Sequence, residues 1–254
     1  MDFAEAVVLV TGGSSGIGAA TAEMLAGRGS RVAINYAANQ AGAEAILDAC
    51  QAAGGQAMLV QGDVADDRAC RDTVAAVLAR WGRIDGLVNN AGITKVVQHA
   101  DLEGLDAEDF QRIYAVNVIG AYQMARAVAT PMRQLGDGAI VNVSSAAGVY
   151  GVGSSIAYAA SKGAMNTLTL ALARTLAPEI RVNAICPGWV TTAFLQQRMP
   201  SERWRQIGRD YQQKAPLRRQ GEAVDIARSI LFFLDGDANM TGQVVVSDSG
   251  MHLS

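Results

Sequence analysis

The chain has 254 residues, a formal net charge of -3 and half its residues hydrophobic, a length that suits one large α/β domain or two small ones. No basic block stands ready to neutralise phosphates, so nucleic acid is disfavoured as a partner. Only two histidines occur, His99 and His252, which leaves His-based zinc sites and Ser-His-Asp triads poorly supplied.

The first residues, Met1 to Glu5, carry acids and lack the basic start and apolar stretch of a signal peptide. No apolar run approaches membrane-spanning length, so a cytoplasmic protein without membrane contact is expected. Cys50, Cys70 and Cys186 are odd in number and far apart, as bystander thiols of a reducing compartment would be.

Short apolar runs then alternate with longer amphipathic stretches. Strands are predicted near Val7–Val10, Arg31–Asn35, Ala57–Gln61, Ile84–Asn89, Ala139–Val143, Arg181–Ile185 and Gln243–Val246. Helices are predicted near Gly16–Arg28, Ala41–Ala53, Arg68–Trp81, Ala107–Thr130, Ile156–Leu176 and Glu222–Leu234. Alternating strands and helices imply an α/β fold, a doubly wound parallel sheet of seven strands with helices on both faces. No Pro/Ser-rich linker divides the chain, so residues 1–254 read as a single domain. Residues 187–220 hold the longest stretch without clear pattern, which in a compact domain reads as a substrate lid, with short helices expected within Phe194–Ile207.

Two features carry chemistry. Thr11-Gly12-Gly13-Ser14-Ser15-Gly16-Ile17-Gly18 follows the first strand and opens the first helix, the context a phosphate-binding turn requires. Read alone it could be an ordinary glycine-rich turn. Farther on, Tyr158 and Lys162 stand four apart in a helical run, so both side chains leave one face. An ammonium beside a phenol favours phenolate, which lowers the tyrosine pKa toward working pH. Such a pair by itself is common on helix surfaces. Ser145 lies thirteen residues before Tyr158, at a strand end where open sheets place ligands; Ser144 beside it suits a structural hydrogen bond to its own turn.

In this order the motifs resemble the short-chain dehydrogenase/reductase family, with 3-oxoacyl carrier-protein reductases among the similar members. The likeness extends over almost the whole chain: Asp63-Val64, Asn89-Asn90-Ala91-Gly92, Asn117 and Pro187-Gly188-Trp189-Val190-Thr191-Thr192 fall where the family has matching segments. The resemblance implies a Rossmann fold and a nicotinamide cofactor. Its holders would be Gly12, Ser14, Ser15, Gly16, Ile17, Gly18, Tyr36, Asp63, Val64, Asn90, Ala91, Gly92, Tyr158, Lys162, Pro187, Gly188, Val190 and Thr192. No metal is implied. Tyr36 stands where NAD-using members carry an acid, which favours NADP(H) and leaves NAD(H) open, since neither Ser14, Ser15, Ala37 nor Ala38 is basic.

The family mechanism, carried onto this sequence, makes Tyr158 the proton donor to a substrate carbonyl as hydride arrives. Ser145 stabilises the charge on that oxygen, Lys162 depresses the Tyr158 pKa and holds the ribose, and Asn117 holds a water relay. Tyr150, Val152, Trp189, Phe194 and Met199 suggest a mainly apolar substrate pocket. The expected activity is interconversion of a small-molecule carbonyl and a secondary alcohol. A sugar or steroid alcohol dehydrogenase working oxidatively with NAD is the second reading, and a cofactor-sensing binding protein the third. The apolar run Ala164–Leu176 needs covering on more than one side, which with the resemblance points to a homotetramer. Asp248-Ser249-Gly250 replaces the family's usual Asp-Gly-Gly and puts local turn geometry in doubt.

Overall fold

Each apolar run forms a strand whose alternate side chains enter different cores. The computed structural model describes residues 1–236 and 238–254. Its strands are β1 (Val7–Val10), β2 (Arg31–Tyr36), β3 (Gln56–Gln61), β4 (Gly86–Asn89), β5 (Gly138–Val143), β6 (Ile180–Pro187) and β7 (Val244–Ser247). They form one seven-stranded sheet, parallel throughout, in the order β3-β2-β1-β4-β5-β6-β7. Val8 and Val10 of β1 join a core with Leu25, Ile34 and Ile230, whereas Val7 and Leu9 join one with Val77, Met124 and Leu172. The period-2 alternation of a strand explains why a run of four apolar residues is needed here. Burying each Leu or Ile contributes about 1.5–3 kcal/mol relative to leaving it exposed.

The helices are α1 (Gly16–Ala26), α2 (Gln40–Ala52), α3 (Asp67–Trp81), α4 (Ala107–Tyr114), α5 (Ala121–Leu135), α6 (Ala147–Tyr150), α7 (Ile156–Leu176), α8 (Ala193–Gln196), α9 (Ser201–Lys214) and α10 (Ala223–Asp235). Leu25 of α1 and Ile230 of α10 belong to one layer, and Val77 of α3, Met124 of α5 and Leu172 of α7 to the other. The strand order reverses between β1 and β4, so the loops after these strands part and open a crevice at the carboxyl edge. Among the described residues no helix is long and apolar enough to cross a membrane.

Three features differ from the sequence reading. The single helix predicted over Ala107–Thr130 is interrupted by a π-helical turn, Ala115–Gly120. The extra residue of that turn lets Asn117 face inward and brings Gly120 against Val64, where an added Cβ would sit 2.7 Å from a Val64 methyl. The helix also continues past Pro131 to Leu135 and ends on Gly136, whose left-handed backbone (φ 82°) turns its N–H to the Met132 carbonyl. Finally, the expected irregular segment contains α9, a helix of 14 residues. Its apolar residues Trp204, Ile207 and Tyr211 recur at helical spacing but are outnumbered by Arg and Gln, which hides the period.

Candidate active site

At the carboxyl edge of the sheet lies a cleft of about 1540 Å³. Its floor begins with the glycine loop. Gly12 takes a positive φ of 61°, and a Cβ there would come within 2.9 Å of the Ala91 backbone, so only glycine allows β1 and β4 to close this turn. A Cβ on Gly18 would fall 2.5 Å from both the Asn90 amide and the Gly12 carbonyl oxygen. Asn90 holds the loop in place: its side-chain amide donates to the carbonyls of Thr11 and Gly12, each at 3.0 Å. The Thr11 hydroxyl accepts from the backbone N–H groups of Asn90 and Ala91, also at 3.0 Å each. Gly18 therefore serves packing and does not line the cleft, whereas the other residues assigned to a cofactor do line it.

Helix α1 starts at Gly16 with Ser15 as its N-cap, but the Ser15 hydroxyl caps none of the first N–H groups. Those donors, at the positive end of a helix dipole, open beside Ser14, Ser15 and Ile17. This arrangement fits a pyrophosphate, and the residues present therefore suit a dinucleotide. Across the cleft Thr192 faces Gly16, whose added Cβ would lie 3.5 Å from it. Asp63, at the end of β3, keeps its turn by accepting from Ala65 N–H at 2.9 Å. Between Gly12 and Asn39 the lining residues carry neither a cation nor a carboxylate, and Tyr36 is buried among them.

The other end of the cleft is set by the start of α7. Ser155 caps that helix, its hydroxyl accepting from Tyr158 N–H at 3.3 Å, which fixes the first turn and presents Tyr158 and Lys162 on one face. A buried polar ladder locks the helix to the sheet. Asn89 donates to Asn142 at 2.9 Å, Asn142 to the Thr169 hydroxyl at 2.9 Å, and that hydroxyl to Met165 carbonyl at 2.9 Å. Ser144 adds a second tie, donating to Asn166 at 2.6 Å. Sequence reasoning misses this ladder because its members are spread from residue 89 to residue 169; the signal was the pair of polar residues, Asn89 and Asn142, ending otherwise apolar strands.

Ser145, Tyr158 and Lys162 all line the cleft. The Ser145 hydroxyl accepts from Ala147 N–H at 3.1 Å and donates to the Pro187 carbonyl at 3.5 Å. Phe194 of α8 covers the phenol ring, centroids 6.1 Å apart at 46°. Lys162 is buried; its ammonium donates to the Val143 carbonyl at 2.7 Å and lies 5.8 Å from the Tyr158 ring centre. The expectation that this ammonium lowers the Tyr158 pKa needs correction. Burial pushes Tyr158 up to about 12 against the opposing influence of Ser145, and pushes Lys162 down to about 8. The ammonium lies near the ring while its hydrogen bond goes to a backbone carbonyl, so desolvation dominates both groups.

Asn117 stands apart from the cleft lining. Fully buried in the π-helical turn, it accepts from Ile93 N–H at 2.8 Å and donates to Ile93 carbonyl and the Ser161 hydroxyl, both at 3.0 Å. Ser161 in turn donates to the Tyr158 carbonyl at 2.7 Å. The contacts of Asn117 thus join the loop after β4 to the turn carrying Tyr158.

The substrate end is walled by Val96 and His99, Tyr150 and Val152, the α8–α9 segment and the C-terminal turn Met251–Leu253. The first and last of these escape sequence reading, since neither follows a recognisable motif.

A family model described as short chain dehydrogenase matches residues 6–203. The chain belongs to that family. Within it, the chain is 40% identical over 247 residues to a Streptomyces violaceoruber protein named as a ketoacyl reductase of granaticin polyketide synthase, covering 97% of this chain and 96% of that one. It is 34% identical to levodione reductase of Leifsonia aquatica, covering 98% and 94%. The crystal structure of a short-chain dehydrogenase/reductase from Burkholderia xenovorans superposes with a TM-score of 0.92 at 42% identity, covering 98% of both chains. The family match ends inside α9, so the C-terminal turn at the cleft lies beyond it.

Proposed function

We propose that the protein is an NAD(P)(H)-dependent oxidoreductase that interconverts a ketone and a secondary alcohol, with Tyr158 as general acid and base. The carrying observation is the meeting of Ser145, Tyr158 and Lys162 at one end of a cleft whose other end fits a dinucleotide. When bound, the nicotinamide supplies or takes the hydride. Tyr158, kept protonated by its burial, donates a proton to the carbonyl oxygen in reduction and recovers it in oxidation. Ser145 hydrogen-bonds the same oxygen and stabilises the charge developing there. Lys162, whose ammonium lies 5.8 Å from the Tyr158 ring centre, would hold the ribose hydroxyls of the bound dinucleotide. Asn117 acts as a positioning residue, tying Tyr158 to the loop after β4, in addition to any bound water it holds.

NADP(H) is the favoured dinucleotide because Tyr36 stands at the end of β2 in place of an acid that would repel a 2′-phosphate, although the Asp63 carboxylate lines the cleft nearby. No cation lines the ribose end, so the preference over NAD(H) is small, about tenfold or less. The ketone reading draws support from relatives named for ketoacyl and levodione reduction. A homotetramer is proposed on the exposed apolar residues Ile119, Tyr122, Leu170 and Phe232. Sedimentation at micromolar protein checks it, and a monomer would refute it.

The experiment that tests the reading is titration with NADPH and NADH, then absorbance decay with saturating cofactor over ketones, diketones and 3-oxoacyl thioesters. Turnover of any member is expected. Tight dinucleotide binding without turnover of any ketone, or of alcohols with the oxidised forms, would favour the cofactor-sensing reading.

A further inference from the structure

The chain has only two histidines, and both line the cleft. Neither takes part in the proton transfer assigned to Tyr158. His252 lies in the C-terminal turn with its ring stacked on Tyr150, centroids 5.9 Å apart and planes within 6°. Its Nδ1 is 3.0 and 3.1 Å from the two carboxylate oxygens of Asp248, and its backbone N–H donates to the same carboxylate at 2.9 Å. Asp248 is buried and fixed in turn: Gly250 N–H donates to its carboxylate at 3.0 Å, and the Tyr211 hydroxyl of α9 donates to its carbonyl. The imidazole is thus held by its face, its edge and its backbone.

A carboxylate only accepts, so Nδ1 carries the proton and Nε2 of the neutral ring is left as an acceptor. The surroundings are mainly apolar, with Val152, Phe194, Met199 and Ile207 on the same wall system. Two arginines also line this wall: Arg198 is engaged, donating to the Phe194 carbonyl at 2.5 Å and lying 4.9 Å over its ring, while Arg203 lines the cleft as well. An oriented acceptor in such a pocket selects a hydrogen-bond donor. His99 also lines the cleft, but its Nε2 is buried without a protein partner and lies out of reach of a bound group.

We propose that the substrate is a ketone carrying a hydroxyl group away from its reacting carbonyl, and that His252, positioned by Asp248 and Tyr150, accepts the hydrogen bond of that hydroxyl. In the oxidative direction the same site takes the corresponding diol. This inference rests on the ketone reading above and adds the substrate class.

The test compares two probes of similar shape, 4-hydroxycyclohexanone and 4-methylcyclohexanone, with the full chain and saturating dinucleotide. Both kcat/KM and the Kd for the complex with oxidised cofactor are read. The wild type should prefer the hydroxyl probe about tenfold, His252→Ala should bring the ratio near unity, and His252→Gln, which keeps an acceptor oxygen, should recover part of it. Because the preference is a ratio within one protein, any loss of folded fraction cancels. A wild-type ratio at or below unity in both readouts, or one that His252→Ala leaves intact, overturns the proposal. Absence of turnover with a tenfold Kd difference that His252→Ala abolishes overturns the ketone reductase reading and upholds the hydroxyl site.

Discussion

The two ends of the cleft are built by different means. At the dinucleotide end, the glycine loop is held by backbone and by Thr11 and Asn90, all within a residue or two of a strand terminus. At the substrate end, four segments far apart in the chain converge, and side chains do the holding: Phe194 on Tyr158, Tyr150 on His252, Trp189 on Trp204. A site made from backbone at strand ends is constrained in shape, whereas one made from side chains on helices and tails can be recut without disturbing the sheet. The reacting residues sit between, on α7, locked to the sheet by the Asn89–Asn142–Thr169 ladder.

That contrast can be broken most severely at its middle. Tyr158→Phe should lower kcat about a thousandfold or more with dinucleotide Kd within about twofold of wild type; retained turnover in a stopped assay would remove the acid/base role. Ser145→Ala should cost about a hundredfold in kcat with a smaller change in KM. Equal losses in both parameters would assign Ser145 to binding instead.

A third prediction uses pH. Lys162 titrates near 8 in the folded chain and near 10.5 when unfolded, so between those values the unfolded chain holds a proton that the folded one lacks. Stability of the cofactor-free wild type should therefore rise through that window. Lys162→Met, free of the buried charge, should melt a few degrees higher at pH 7, with the gap closing by pH 10. A constant gap in a calorimetric series would show that burial does not govern this lysine.

Smaller effects separate the ends. Tyr36→Asp should move the NADP/NAD ratio of kcat/KM about tenfold toward NAD for every ketone alike. Tyr211→Phe, which removes the donor from α9 to the Asp248 carbonyl, should raise KM a few-fold for ketones and leave the dinucleotide Kd in place. A dinucleotide effect as large as the ketone effect would join the two ends into one unit.

The sheet was legible because fully buried strands demand uninterrupted apolar runs, and Val7–Val10 or Ala139–Val143 leave no other reading. The glycine loop and the Tyr158–Lys162 pair were legible because a helix or turn fixes their local spacing. The charge state of that pair was not, since it depends on how deeply the fold buries both groups, which spacing does not reveal. Helix α9 was obscured by a three-residue apolar stripe among charges, and the C-terminal turn by having no periodicity at all. Asn117 illustrates the boundary: its presence on a helix was readable, but the π-helical turn that aims it inward arises from contacts with Ile93 and Ser161.

That turn has a consequence for how the protein tolerates change in length. It holds one more residue than an α-helical turn, and each residue of an α-helix advances the face by about 100°. Loss of a single residue within Ala115–Gly120 would let α4 and α5 join into one regular helix with the side chains on either side near their present faces, because the turn had already taken up the extra residue. Ile113 would stay inside and the ion pair of Lys95 with Asp109, now 2.5 Å, would hold, whereas Asn117 would lose the turn that aims it at Ile93 and Ser161. A length change within α4 or α5 themselves, where no bulge takes it up, would instead turn one helix face by about 100° against the core.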